Sequence, residues 1–559
     1  MENTKSDVGL QASYYASEEE LRISKELSSG ITKDYTLWEI IIQYNGDLSD
    51  ISSFHPSITV TPLSFPYAIV RIKKDLLADF LSLPQIIYAE QPKSIFFEQE
   101  ATRAKQASCI FPSTQARFTG KGVLLAIIDS GIDIFHPDFI DPVTGETRIL
   151  YLYDETLNQV FDSAMLNEAL LLGRQAGGLR IQSSDLSGHG THVAGIAGGN
   201  HGIAREASLV IVKLAPAVST GFPNTAQLME GIQFCVNTAL ELRMPMAVNI
   251  SFGNTYGSHS GTSLLENYMD YVNELGKFAF VIGTGNEGSA SGHATGKESA
   301  DLEFTIGPYE TSLSLQIWKY AWENISIEFQ APASSAIKVS NEPGSYRYQL
   351  DEDTYIYVLV GDATPYSPFQ EIYINFFPME GSFYLTSGIY TLRIRTSSPL
   401  YEGWHVWMPT AGVRNEQTRF LTPNVEYTLT IPSTSQRAIS VGAYDSDLGI
   451  IAPFSGRGYT FGTNYIKPDL VAPGVNILSA SAGGGYEIRS GTSMATPFVT
   501  GACCLYMQEG IVEGADPFLY GEKLKVRLIQ DARPLPGQPA VPAPTYGWGR
   551  LCFRQKKSR

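Results

Sequence analysis

Three side chains of this sequence stand where short apolar segments end or small-residue helices begin. Asp129 closes the run "KGVLLAIIDSGI", His189 sits between glycines in "SGHGTHVAGIAGG", and Ser493 lies in "RSGTSMATP" just ahead of the apolar "FVTGACCLYM". A serine hydroxyl is a weak nucleophile at neutral pH. It needs a base to take its proton and a carboxylate to hold that base in one tautomer. Asp, His and Ser supply that set, and its chemistry is attack on an acyl carbon. Each residue also has a plainer use. Ser493 alone reads as a helix N-cap, and Asn286 before Glu287-Gly288 as an ordinary turn. His192, three residues after His189, reads as structural and not as the second ligand of a metal pair. Asp133 and Asp138 read as turn and surface residues, and Asp351-Glu352-Asp353 as a solvated turn without an EF-hand-like loop around it.

The elements that must position these residues follow from the apolar patterning. "KGVLLAIIDSGI", "ASLVIVKL", "MAVNIS" and "FAFVIGTGN" are short apolar runs ending in small or polar residues, with helical patterns between several of them. That is how buried parallel strands with crossover helices read, and an open α/β sheet gathers its site at the carboxyl ends of its strands. From about Asp301 to Pro432 the pattern changes to alternation of aromatic or β-branched with polar residues: "SLSLQIW", "YRYQL", "TYIYVLV", "EIYINFF", "IYTLRIR", "WHVWMP" and "EYTLTIP". Seven or more antiparallel strands in a sandwich or jelly roll are predicted there, with α/β character resuming at "RAISVGAYD". Ahead of the α/β part, residues 35–97 read as a small α+β unit. Its strands are "LWEIIIQYNG", "ITVTPLS" and "YAIVRIK", its helix "KDLLADFLSLP" and its extended exit "IIYAEQPKSIFF". Residues 1–34 read as a polar helix or loose arm. The expected division is therefore 1–100, 101–300, 301–432 and 433–559.

A length of 559 residues calls for one large domain with smaller modules. A formal charge of −17 disfavours a nucleic-acid binder held by phosphate contacts. Five cysteines without a CxxC pair fit a reducing compartment, with Cys503 and Cys504 as small buried side chains. The N-terminus has no apolar signal core and no run of 18 apolar residues occurs, so neither Sec export nor a membrane span is expected. The aromatics of the β-rich segment, among them Trp318, Trp322, Trp404 and Trp407, could stack on sugars, an idea that fails if they are buried.

The chain order Asp129, His189, Ser493 is that of subtilisin, and differs from those of chymotrypsin and the α/β-hydrolases. "DSGI", "HGTHVAG" and "GTSMATP" resemble the three signature segments of the subtilisin-like serine proteases (subtilases, family S8), and "NISFG", "GTGNEG", "KPDLVAPG" and "YGWGRL" resemble further landmarks of that family. The likeness covers most of residues 115–300 and 433–552. It implies an α/β fold with a subtilisin-like parallel sheet and helices on both faces, an N-terminal α+β propeptide and an inserted antiparallel β-sandwich (jelly roll). It also implies a serine endopeptidase acting through an acyl-enzyme. Ser493 would be the nucleophile, His189 the general base and then acid, and Asp129 the orienting carboxylate. The Asn286 side chain and the Ser493 backbone N–H would form the oxyanion hole. Ser251, Phe252 and Gly253, with Gly283, Thr284 and Gly285, would line the pocket on the acyl side of the cut bond.

The resemblance further implies that the propeptide is cut by the enzyme itself between Phe97 and Ala101. No cofactor is expected, and structural calcium, common in the wider family, finds no convincing ligand set. "HPDFIDPVTGETRILYLYDET", "NISFGNTYGSHSGTSLLENYMD" and the β-rich insert, which helps to separate Asn286 from Ser493 by 207 positions, resemble the Csp subgroup of clostridial germination proteases. That likeness implies a propeptide retained in the cleft, a cortex-lytic hydrolase zymogen as protein substrate, no nucleic-acid or membrane partner, and a cytoplasmic or spore-associated location. The alternative is a non-catalytic regulator, since the subgroup includes pseudoproteases; the presence of all four site residues argues against it.

Overall fold

The structure is a computed structural model that describes residues 5–97, 117–216, 221–538 and 541–553. Seven parallel strands form its centre: β1 Leu124–Asp129, β2 Ile149–Asp154, β3 Ser208–Lys213, β4 Met246–Ile250, β5 Phe278–Gly283, β6 Ile439–Asp445 and β7 Leu470–Pro473. Their spatial order is β2-β3-β1-β4-β5-β6-β7. Successive side chains of a strand face opposite sides. Leu125 and Ile127 of β1 accordingly pack with helices His189–Gly198 and Thr492–Met507. Leu124, Ala126 and Ile128 pack with helices Thr225–Leu242 and Leu264–Glu274. Asp129, two residues beyond Ile127, is thereby aimed at the face that carries His189 and Ser493.

The N-terminal unit is a four-stranded antiparallel sheet in the order Thr59–Pro62, Tyr67–Lys73, Leu37–Tyr44, Ile86–Glu90, with helix Lys74–Ser82. One face, through Ile41, Tyr67 and Ile69, packs on the two helices of the catalytic-sized domain. The other, through Ile40, Ile42, Val70 and Ile72, packs with residues from the chain start and with Tyr357 and Tyr373 of the insert. Of the two expectations for the chain start, a polar helix or a loose arm, residues 5–34 meet the first. They form helices Val8–Tyr15 and Glu18–Ile23, whose Leu10, Ala12 and Leu21 are buried between the N-terminal sheet and the insert. Polar ties hold the same seam. Arg347 donates to both carboxylate oxygens of Glu20 (2.9 and 2.6 Å), and the Tyr357 hydroxyl donates to the Ala12 carbonyl (3.0 Å).

The insert is two antiparallel sheets of six and five strands sharing one apolar core. It starts at His293, ahead of Asp301 where the alternation becomes visible, because strand His293–Gly296 pairs with Trp404–Trp407. "EYTLTIP" is not a strand. Its backbone bonds go to three separate segments, one each to the Thr284 and Arg457 carbonyls and a two-bond antiparallel bridge between Ile431 and Asn254. Trp404 and Trp407 are buried, which removes the sugar-stacking role for them, while Trp322 stays 64% exposed. Cys235, Cys503 and Cys504 are buried free thiols. No helix among the described residues is long and apolar enough to cross a membrane.

Where insert and parallel domain meet, three imidazoles stack with an indole. His259 lies 4.3 Å from Trp407, and His405 lies 5.1 Å from Trp407 and 5.3 Å from His293. Burial lowers their pKa values, to about 4 for His259, about 3 for His293, and well below the usual value for His405; the neighbouring imidazoles of the stack add to the effect at His293 and His405. The sign follows directly. The folded state keeps these rings neutral, whereas the unfolded chain takes up protons below about pH 6.5. Their contribution is thus present above pH 6.5 and lost as pH falls toward 3 to 4. His293→Phe should raise stability relative to the parent progressively between pH 6.5 and 4.5. Thermal melts of both proteins across that range check this, and parallel pH profiles would contradict it.

Candidate active site

Asp129 is the last residue of β1 and is fully buried. Its Oδ1 accepts from His189 Nδ1 (2.7 Å) and from the Ser130 backbone N–H (2.7 Å). His189 is the first residue of its helix and is 1% exposed. Glycine lets these ends meet: a Cβ on residue 190 would stand 2.2 Å from the Gly131 carbonyl oxygen, and Gly188 holds φ at 69°. The bond to Asp129 makes Nδ1 the protonated nitrogen and leaves Nε2 as the basic one.

Ser493 is the second residue of helix Thr492–Met507, entered through Gly491 at φ 145°, a backbone angle closed to side-chain-bearing residues. Pro497 inside this helix has no N–H to give to the Ser493 carbonyl four residues earlier. That carbonyl instead accepts from the Ser251 hydroxyl (3.2 Å), while the Ser493 hydroxyl donates to the Ser251 carbonyl (2.8 Å). Asn249 extends the network, donating to Ser251 Oγ (2.9 Å) and accepting from Thr500 Oγ1 (2.9 Å). In this arrangement the Ser493 hydroxyl is engaged with the Ser251 carbonyl.

Asn286 follows β5, and its Oδ1 accepts from the Thr492 backbone N–H (3.1 Å) and hydroxyl (3.3 Å). This fixes the amide so that Nδ2, buried and without a partner among the described residues, is offered beside the start of the serine helix. Helix N-termini carry free N–H groups and the positive dipole end, so both donors suit a developing oxyanion. Ser251, Phe252, Gly253, Gly283, Thr284 and Gly285 lie together at the ends of β4 and β5, all buried. Gly253 and Gly285 are both closed over by Thr430, which a Cβ at either would approach within 2.7 Å. Strand Phe96–Phe97 of the N-terminal unit pairs antiparallel with Phe252–Gly253, so the unit's own exit lies along this wall.

The other landmarks separate. His192 is buried with Nε2 against the carbonyls of Ile477 (3.1 Å) and Glu487 (3.2 Å). Burial, helped by Arg489 and His189, lowers its pKa to about 3 and keeps it neutral and structural. Asp133 and Asp138 are buried, not surface residues, and do not form a dyad. Asp133 takes a bidentate Arg174, and Asp138 accepts from Tyr486 Oη (2.9 Å) and sits by His201 (3.0 Å). Among the described residues no group of three or more His, Cys, Asp or Glu side chains is gathered tightly enough to hold a metal ion.

Sequence reading missed Asp185. Its Oδ1 accepts from Ser130 Oγ (2.8 Å) and Gly188 N (2.9 Å), and its Oδ2 from Thr191 N (2.8 Å) and Oγ1 (2.7 Å). One carboxylate thus ties the residue after Asp129 to the helix of His189. The signal available was an aspartate four residues before the histidine, where a helix start favours an acid.

A sequence model of the Subtilase family (peptidase S8) matches residues 120–341 and 413–549, and a model of the Csp protease B prodomain matches residues 4–93. The chain belongs to the subtilase family. The structure of the Clostridium perfringens CspB protease superposes with a TM-score of 0.74 at 36% identity, covering 78% of this chain and 93% of that one. Fervidolysin from Fervidobacterium pennivorans, a keratinolytic enzyme related to subtilisin, shares the fold at 15% identity, with a TM-score of 0.50 over 94% of this chain and 61% of that one. Subtilisin-like protease 9 of Arthroderma benhamiae is 29% identical over 30% of this chain and 34% of its own length, so the chain spans about a third of such curated relatives. The N-terminal unit is the prodomain, and it begins with the segment that reads as a polar helix or loose arm.

Asp185→Ala would leave five donors without their acceptor: the Ser130, Ser187 and Thr191 hydroxyls and the Gly188 and Thr191 backbone N–H groups. It should destabilise the protein by at least about 2–3 kcal/mol, more than Asp185→Asn, which keeps one acceptor oxygen. Chemical denaturation of the three proteins in parallel measures the order.

Proposed function

We propose that this subtilase is an active serine endopeptidase that uses Asp129, His189 and Ser493 to cut its own prodomain and then a protein substrate. The observation that carries the reading is the buried 2.7 Å hydrogen bond from His189 Nδ1 to Asp129 Oδ1. It presets the imidazole as a base facing the start of the serine helix. In the proposed reaction His189 Nε2 takes the Ser493 proton as Oγ attacks the scissile carbonyl carbon, and the resulting oxyanion is held by the Ser493 backbone N–H and Asn286 Nδ2. Collapse expels the amine, which leaves with the proton from His189. Water then attacks the acyl-enzyme by the same route and restores the hydroxyl.

The pairing of Phe96–Phe97 with Phe252–Gly253 supports self-processing, since it leads the chain along the acyl side of the site. The expected cut between Phe97 and Ala101 falls beyond Phe97, outside the described residues. The similarity to the CspB protease supports a finer reading in which the substrate is the proenzyme of a spore cortex-lytic hydrolase. A second reading, a protease held silent by its prodomain or serving as a regulator, is favoured by the same strand, because a cleft filled by its own chain excludes other peptides.

Intact-mass measurement of the purified protein beside Ser493→Ala tests the proposal. The parent should appear as two fragments whose junction lies between residues 97 and 101, and Ser493→Ala should remain whole. Two whole proteins would instead favour the regulator reading. Asn286→Ala should lower the rate of self-cleavage by roughly 10²–10³-fold, about 3–4 kcal/mol of barrier, a magnitude established on the equivalent asparagine of subtilisin. A time course of fragment appearance checks it, and an unchanged rate would remove Asn286 from the oxyanion hole.

A further inference from the structure

Prodomain, parallel domain and insert meet around a cavity of about 370 Å³, a volume ordinary for a small-molecule site. Its polar walls are acidic. Asp7 and Glu90 come from the prodomain and Glu371 from the insert, and Glu26 lies in the adjoining cleft. The single ammonium among them, Lys93, is 3.6 Å from Asp7 Oδ2. Glu90 has the backbone N–H of Leu264 (3.1 Å to each oxygen), and Glu26 accepts from Ser314 Oγ. Glu371 differs. It is 6% exposed, lines the cavity, and its carboxylate has no hydrogen bond or ion pair among the described residues. A carboxylate this deeply set, with no hydrogen bond and only the more distant attraction of Lys93, is expensive, and it is relieved by a proton or by a further cation.

The walls say which kind of cation. The carboxylates are too dispersed to form a metal-holding group. Between them stand aromatic faces, Trp318 and the edge-to-face pair Tyr88 and Tyr366, whose ring centroids are 5.4 Å apart. Aromatic faces attract diffuse organic cations, and a carboxylate opposite them fixes the charged end. We propose that this cavity binds a small organic cation, an alkylammonium or guanidinium compound, with Glu371 as its charge partner and the aromatic side chains as its walls. Burial raises the carboxyl of Glu371 to about 8 and those of Glu26 and Glu90 to about 7, with Lys93 pulling the other way. Because all three parts of the chain supply walls, a bound cation stabilises their association by mass action. The inference does not depend on the protease reading.

The test uses full-length Ser493→Ala protein, in which the walls stay in one chain. Agmatine and cadaverine are titrated at pH 7.5 by calorimetry and thermal melting, against sodium and calcium chloride at equal ionic strength. Saturable binding near one per chain with a rise in Tm is expected, weakened at least tenfold by Glu371→Gln. Tyr366, 52% exposed at the rim, provides a second variant should the first fail to fold: Tyr366→Ala should weaken binding at least threefold while the empty protein still melts in one cooperative transition. The proposal is overturned if neither amine binds saturably, if calcium produces the same shift, or if Glu371→Gln binds as tightly as the parent.

Discussion

A carboxylate removed wholly from water must find its compensation inside the protein, and the Asp129 contact with His189 is how this fold meets that demand. The rest of the arrangement serves the contact. The end of β1 and the start of the histidine helix must come within side-chain reach, and backbone atoms only approach so closely where Gly190 has no Cβ to strike Gly131. Asp185 then locks the two ends together from behind, through Ser130, Gly188 and Thr191. A parallel sheet is suited to this because all its strands deliver their carboxyl ends to one edge, where β1, β4 and β5 bring Asp129, Ser251 and Asn286.

The serine side is built on a different principle. Pro497 breaks the first turns of hydrogen bonding without breaking the helix, and the freed Ser493 carbonyl is tied to Ser251. Ser251 adjoins the strand that pairs with the prodomain exit. Position of Ser493 and position of the Phe96–Phe97 strand are therefore set by the same few residues. A substitution that loosens Ser251 would disturb both together; Asn249 holds the Ser251 hydroxyl and is itself held by Thr500.

Much of the candidate site was legible in the sequence because its local residues are unusual. Asp129 at the end of an apolar run, His189 among glycines and Ser493 between small residues have few other readings once seen in that order. The strands of the prodomain and most of the insert were legible for another reason, since alternation records which side of a strand is buried. What stayed hidden depends on contacts distant in sequence. Residues 5–34 look like a polar arm because their partners, Tyr357 and Tyr373, are more than three hundred positions away. "EYTLTIP" alternates like a strand, yet its bonds go to three separate segments. The stack of His259, His293, His405 and Trp407 gathers residues from two units, and nothing local marks any one of them.

The insert is held at two junctions whose responses to pH have opposite sign. Toward the prodomain, Glu371, Glu26 and Glu90 have raised pKa values in the assembled state, so assembly binds protons there; its favourable contribution is fullest at low pH and is lost as pH rises through about 7 to 8. Toward the parallel domain, the stacked histidines have lowered values, and their contribution is fullest above about 6.5 and is lost on acidification. The two ranges overlap only near neutrality. Acidification below about 6.5 works against the histidine junction, whereas alkali works against the seam with the prodomain and leaves the histidine junction unchanged. A prodomain cut from the chain near residue 98 would still have both faces of its sheet buried, one on each partner. Any release of the prodomain would have to expose both apolar faces of its sheet, the one on the parallel domain and the one beneath the insert.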